Sequence, residues 1–161
     1  MTTHHNEVLM DTFLTVVVTW LSINLGLPAI YEHPEVKLIT HNEMIEMQVS
    51  GLEAEDATDF RKTVEQGHRI VAFYDDQSRT IYLPRNWSAS SPADVSVVVH
   101  EMVHHLQNVG NIPQECKEGR ERPAYEAQAQ WLELVGTTLE DEFELDAITL
   151  HLLTRCWHGP P

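Results

Sequence analysis

The residues His100, Glu101 and His104 combine side-chain types and a spacing that suit a catalytic metal ion. Residues four apart on a helix share one face, so the two imidazoles can bind the same ion. Zinc accepts neutral imidazole nitrogen and prefers tetrahedral ligands. Glu101 is rotated about 100° from His100, which suits a general base acting on a metal-bound water. The motif therefore predicts a zinc site for hydrolysis.

A catalytic zinc normally takes a third protein ligand, which we expect from the next helix along the chain. Pro123 is predicted to open that helix, which favours Glu126 as the ligand. Glu121 is a rival, but it precedes the predicted helix start and has an arginine on either side. More distant alternatives for the third ligand are Glu133, Asp141, His105 and the C-terminal tail. We expect His105 to be a partly exposed polar residue, because it points to a different face from His104.

The predicted active-site helix has clear start and stop signals. Ser91 is a typical N-cap, Pro92 suits the first helical position, and Asp94 follows three residues after the serine. Gly110 is expected to end the helix after about Val109. An apolar side for burial is provided by Val97, Val98, Val99, Val103 and Leu106.

The rest of the chain predicts a small sheet and further helices. Two apolar runs, residues 70–74 and 80–83, flank a turn-like segment and predict a β-hairpin. Pro84 favours an edge position for the second strand. The other predicted elements are a helix over about residues 6–26, a strand over 36–40, a helix over 41–49, a poorly ordered segment over 51–67, a helix from Pro123 to about Gly136, and a helix over about 140–156.

These elements predict an α+β fold with about three antiparallel or mixed strands, an active-site helix and two to four further helices. A length of 161 residues with 42% apolar composition indicates one domain over 1–161. Its C-terminal tail, residues 157–161, has no periodic pattern. Cys116 and Cys156 could form a disulfide or remain free thiols, and the sequence leaves both open.

The net charge of −15 repels phosphate backbones, so we do not expect a nucleic-acid partner. Residues 12–31 carry no charge and have about the length of a membrane span. Their polar residues, however, recur at helical spacing, and no basic residue precedes the apolar run. We therefore expect a buried helix rather than a span or a signal peptide, which favours a cytoplasmic location. The oligomeric state remains open.

Residues 97–108 (VVVHEMVHHLQN), preceded by the strand candidate ending in Pro84 and followed by Tyr125 and Glu126, resemble the gluzincin branch of the zincin metallopeptidases. The resemblance covers about residues 69–136. It implies His100, His104 and Glu126 as zinc ligands and Glu101 as the catalytic base. It also implies that a strand over residues 80–83 pairs with a peptide substrate along its edge.

The chain departs from the larger gluzincins at two points. An aspartate that commonly follows the ligand glutamate by four residues is replaced by Gln130. The group that stabilises the oxyanion is also unassigned, with Tyr125, His151, His158 and Arg122 as candidates.

The expected function is zinc-dependent hydrolysis, with a peptide or protein as substrate. Alternatives are a zinc hydrolase acting on a non-peptide bond, and a non-catalytic zinc module that fixes the fold or binds a partner. Glu101 favours the enzyme, because a structural zinc site has no need of an acid beside its first histidine. A further alternative is inhibition by the tail, in which Cys156 or His158 occupies the open zinc position.

Overall fold

The computed structural model of the chain describes residues 2–67 and 70–158, with side chains from Glu7 onward. The described part of the chain has the expected α+β fold, with a three-stranded mixed sheet. Arg69, where the expected family resemblance begins, and residues 159–161 of the predicted tail lie outside the described residues. In chain order the elements are α1 (Thr2–Leu25), β1 (Glu35–Ile39), α2 (His41–Val49), α3 (Ala54–Glu65), β2 (Phe73–Asp75), β3 (Thr80–Pro84), α4 (Pro92–Val109), α5 (Lys117–Leu134), α6 (Leu139–Phe143) and α7 (Ala147–Thr154).

The described residues form more helices than the sequence predicts, for two local reasons. The acidic segment that was predicted to be poorly ordered forms α3, whose first turn carries Glu55 and Asp56 and whose last turn carries Lys62. Charges in these positions complement the helix dipole. The single helix expected over residues 140–156 is divided by Glu144, whose backbone is left-handed (φ 58°), into α6 and α7.

The sheet has the order β1-β3-β2, so β3 is the central strand. β1 runs parallel to β3, and β2 pairs with it antiparallel as the predicted hairpin. The expectation that residues 80–83 form an edge strand is therefore wrong. Pro84 is tolerated there because Arg85 donates its N–H to Ile39 on the β1 side, which turns the Pro84 nitrogen toward the β2 side. Pairing with β2 has already ended at Tyr82, so that side requires no donor from Pro84.

Helix α1 packs one apolar face into the core. Leu14, Val17, Val18 and Leu21 are buried there in one cluster with the apolar side of α4. The segment Glu7–Leu25 is long and apolar enough to cross a membrane by length and composition alone. A single helix of this kind, with a face packed in the core, is weak evidence for a membrane protein.

Helix α4 forms as its local signals predict. Ser91 is the N-cap and accepts a hydrogen bond from the backbone N–H of Asp94 at 3.2 Å, and Pro92 occupies the first turn. Gly110 caps the C-terminus. From Ser96 to Gln107 every residue of α4 is buried, so the helix runs through the middle of the domain. Side chains on its polar face are therefore held in place by surrounding elements rather than left in solvent.

Helix α5 begins six residues before the position that Pro123 predicted. Cys116 is its N-cap and also forms a disulfide with Cys156, which follows α7. Pro123 lies inside the helix and does not open it. The early start places Glu121 on α5, and α5 packs along α4.

Candidate metal centre

Three side chains from α4 and α5 converge at one point. The Nε2 atoms of His100 and His104 lie 3.2 Å apart. Oε2 of Glu121 lies 3.1 Å from Nε2 of His100 and 3.3 Å from Nε2 of His104. Ligand atoms held about 2.0–2.1 Å from a tetrahedral zinc are separated by about 3.3 Å. The triangle thus has the dimensions and the donor types that a zinc site requires.

Each histidine is oriented by a glutamine. Oε1 of Gln128 lies 3.0 Å from Nδ1 of His100, and Oε1 of Gln107 lies 3.0 Å from Nδ1 of His104. An amide oxygen only accepts, so each Nδ1 carries a proton, and in the neutral imidazole each Nε2 keeps its lone pair. These contacts select the tautomer in which both Nε2 atoms can bind a metal.

The two glutamines are themselves held in place. Nε2 of Gln128 donates to Oγ of Ser96 at 3.1 Å, and Nε2 of Gln107 donates to the carbonyl of Arg120 at 3.0 Å. Both glutamine side chains are buried. Because their amide nitrogens already have acceptors, the oxygens are the atoms that face the histidines.

Arg120 connects this network to the β2–β3 turn. Its guanidinium forms two hydrogen bonds of 2.6 Å to the carboxylate of Asp76. It also donates to Oε1 of Gln107 and to the backbone carbonyl of His104, each at 3.3 Å. A bidentate contact of this kind fixes the guanidinium plane. The turn of α5 that carries Glu121 is therefore anchored to a second element beside the histidines.

Burial and charge set the ionisation of Glu121 and His104. Burial acts to raise the pKa of Glu121, but the imidazoles of His100 and His104 beside its carboxylate hold it well below its usual range. Burial acts to lower the pKa of His104, yet the carboxylates of Glu121 and Glu101 raise it overall. The carboxylate of Glu121 therefore favours a positive charge at the histidines, whether from a proton or from a metal cation.

A cavity of about 520 Å³ opens beside the three residues. Glu101 and Tyr125 also line it, and the ring of Tyr125 contacts the ring of His100 edge-on at 4.6 Å between centroids. Burial, together with the charges of Glu121 and Glu101, raises the pKa of Tyr125 to about 12. The phenol is therefore protonated well above neutral pH and remains a hydrogen-bond donor.

The structure brings His100, Glu101 and His104 together as the sequence predicts, but it does not bring Glu126 to them. Glu126 is exposed and lies five residues, about 140° around the helix, from Glu121. The third position is taken by Glu121, the rival candidate. The error follows from the helix start, because Glu121 belongs to α5 only if that helix begins before Pro123.

Among the other candidates for metal binding or oxyanion stabilisation, Tyr125 lines the cavity. Glu133, Asp141, Arg122, His151 and His158 are exposed and do not line it. Gln130, at the position where larger gluzincins place an aspartate, is also exposed. Cys156 is bonded to Cys116, which excludes its thiolate as an inhibitory ligand in the oxidised protein.

His105 is buried rather than partly exposed. Its Nε2 lies 2.7 Å from the carbonyl of Glu32 and its Nδ1 lies 3.1 Å from the hydroxyl of Tyr74. Nε2 must donate to the carbonyl, so Nδ1 accepts from the tyrosine. Burial is the main reason that the pKa of His105 is lowered. It joins α4 to the sheet and to the segment before β1, outside the metal cluster.

The orienting glutamines were missed in the sequence. Gln107 follows His104 by three residues on the same helix, so a local signal for that contact existed. Gln128 is 28 residues from His100, and only the packing of α5 against α4 reveals its role.

Comparisons with known proteins give one result. A family model described as "Domain of unknown function (DUF6647)" matches residues 6–158. No curated protein and no solved structure matches the chain.

Proposed function

The chain belongs to the DUF6647 family, and we propose that it is a zinc-dependent hydrolase, specifically a metallopeptidase of the zincin type. The observation that carries the proposal is the triangle formed by Nε2 of His100, Nε2 of His104 and Oε2 of Glu121, all within 4.8 Å of one another. Two imidazoles and one carboxylate, with space left for a fourth ligand, form a donor set typical of catalytic zinc. A zinc ion bound there would acidify a water molecule and polarise a carbonyl.

Glu101 supplies the base in this proposal. It follows His100 on α4, is buried, and lines the same cavity without belonging to the triangle. Its carboxylate accepts the proton of the attacking water and passes it to the leaving amine. A group that moves protons in this way must reach the reacting atoms but need not bind the metal.

Of the four candidates for stabilising the oxyanion, Tyr125 is the donor that lines the cavity. Its phenol is protonated at neutral pH, and burial together with the carboxylates of Glu121 and Glu101 raises its pKa further, to about 12. A protonated phenol beside the ligand histidine can donate to an oxygen that gains negative charge during the reaction. None of the other three candidates lines the cavity.

A peptide is the substrate class that the surrounding strands favour. β2 is an edge strand of the sheet within the described residues, and Phe73 and Tyr74 line the cavity. An extended peptide can pair with the backbone of an edge strand. This assigns the substrate-binding edge to β2 in place of residues 80–83, which lie in the central strand.

Zinc-loaded protein tested on a pool of quenched fluorescent peptides provides the decisive experiment. The wild type should cleave peptides, and Glu101→Gln should retain zinc but lose cleavage by a factor on the order of 10²–10⁴, the usual contribution of a general acid–base. Glu133→Gln makes the same change at an exposed position and should behave as the wild type. No cleavage by the zinc-loaded wild type, or equal cleavage by Glu101→Gln, would contradict the proposal.

A further inference from the structure

We propose that the disulfide between Cys116 and Cys156 positions Glu121, so that metal affinity depends on the oxidised state of these cysteines. The inference rests on the proposed metal site and concerns what holds its third ligand in place. It follows from the way in which the first turns of α5 are attached to the rest of the domain.

The disulfide lies at the start of the helix that carries Glu121. Cys116 is the N-cap of α5, and its Sγ accepts a hydrogen bond from the backbone N–H of Gly119 at 3.1 Å. A Cβ at Gly119 would lie 2.9 Å from Sγ of Cys156 and 3.3 Å from Sγ of Cys116. Both sulfur atoms therefore contact the first turn of α5 directly, and the next turn begins with Glu121.

Pro123 weakens the connection between this turn and the rest of α5. Proline has no backbone N–H, so the carbonyl of Gly119 receives no helical hydrogen bond from position 123, and the proline ring crowds that carbonyl. The segment that carries Arg120 and Glu121 is thus attached less firmly than the interior of a regular helix. Contacts from outside the helix must therefore hold this segment in place.

Two such contacts hold the turn that precedes Glu121. The disulfide ties Cys116 to Cys156, 40 residues away. Arg120, directly before Glu121, bonds to Asp76, and its carbonyl accepts from Gln107. Loss of the disulfide would leave the contacts of Arg120 intact. We therefore expect Glu121 to become loosely held, which weakens metal binding without abolishing it.

The redox step is an ordinary thiol–disulfide exchange. A dithiol reductant transfers two electrons and two protons to the Cys116–Cys156 bond, giving two thiols, while the reductant closes to its own disulfide. Disulfides persist in oxidising compartments and are rare where thiols are kept reduced. The metal centre would accordingly be complete in the first setting and weakened in the second.

Zinc affinity, measured by competition with a chromophoric chelator, tests this inference in a double-mutant cycle. We expect Cys116→Ser/Cys156→Ser to bind zinc about 10- to 100-fold more weakly than the wild type, the range typical of groups that orient a metal ligand. Serine at position 116 can still cap the helix. In a Glu121→Gln background, the same pair of changes should alter the zinc dissociation constant less than twofold, because the ligand through which the disulfide acts is already gone.

A matched control separates positioning from general stability. Val18→Ala truncates a fully buried side chain in α1 and lowers the melting temperature without changing a residue of α5 or of the disulfide. It should leave the zinc affinity unchanged. Should the double serine variant fail to fold, wild type reduced with a phosphine and measured below its melting temperature takes its place.

The outcomes are distinct. Zinc affinity in the disulfide-free protein equal to that of the wild type would overturn the inference and leave the metal site standing. Equal weakening with and without the Glu121 carboxylate would overturn it too, because the disulfide would then act elsewhere. No zinc binding by the oxidised wild type would overturn both the inference and the proposed function.

Discussion

Gln128 accepts a hydrogen bond from His100, with its Oε1 3.0 Å from Nδ1 of the imidazole. This contact joins α5 to α4 inside the core and fixes which nitrogen of His100 faces the cluster. Gln107 makes the equivalent contact with His104 at 3.0 Å. Both orienting groups are neutral amides, so they set the tautomer without adding charge to a site that already contains Glu121 and Glu101.

Replacing an orienting glutamine should weaken metal binding. We expect Gln128→Ala to raise the zinc dissociation constant about 10- to 100-fold, because the His100 ring loses its restraint and its tautomer is no longer selected. Chelator competition measures the change. Gln130→Ala, an exposed position on the same helix, is the control and should have no effect. Equal affinities for the two variants would contradict the assigned role of Gln128.

Removing the phenol of Tyr125 should reduce turnover while leaving the metal in place. Loss of one oxyanion donor typically lowers kcat by about 10²–10³-fold, and we expect Tyr125→Phe to fall within or just below that range. Because the phenylalanine ring keeps the packing against His100, zinc content should stay at the wild-type level. Steady-state kinetics with parallel elemental analysis tests this, and an unchanged kcat would exclude Tyr125 as the donor.

His105 predicts a pH dependence of stability with a definite sign. Its pKa in the folded protein is lowered, chiefly by burial. The unfolded chain therefore binds a proton more readily than the folded one. The contribution of His105 to stability is complete above the unfolded pKa of about 6.5 and declines as the pH falls from there through the folded pKa.

Denaturant unfolding of the metal-free protein between pH 8 and pH 5 should reveal this term. Glutamine at position 105 can still donate to the carbonyl of Glu32 but does not titrate, so His105→Gln should lose less stability than the wild type on acidification. His151→Gln, at an exposed position on α7, serves as the control and should follow the wild type. A larger loss of stability on acidification in His105→Gln than in the wild type would contradict the predicted sign.

The sequence predicted α4 well because the signals that define it are local. Ser91, Pro92 and Gly110 lie at the ends of the helix they delimit, and His100 and His104 share a face by helical geometry alone. The three-stranded sheet was also expected, since the hairpin of β2 and β3 has a turn-like segment between two apolar runs. These features depend on residues that are close in sequence.

The errors involve contacts between distant residues. α5 begins at Lys117, where Cys116 caps it and bonds to Cys156. The local sequence gives no sign of that distant bond, so it predicts that the helix begins at Pro123. That shift moves the candidate third ligand from Glu126 to Glu121. β3 is central because β1, more than 40 residues earlier, pairs with it in parallel. The sequence around Pro84 gives no sign of a neighbouring strand on the β1 side.

The most direct test of the proposed metal site is the zinc content of three purified proteins at matched pH: wild type, Glu121→Ala and Glu126→Ala. Both variants remove a glutamate from the same helix, but only Glu121 lies with the two histidines. We predict about one zinc per chain in the wild type and in Glu126→Ala, and little or none in Glu121→Ala. Loss of zinc from Glu126→Ala with retention in Glu121→Ala, or no zinc in the wild type after the metal is supplied, would contradict the account.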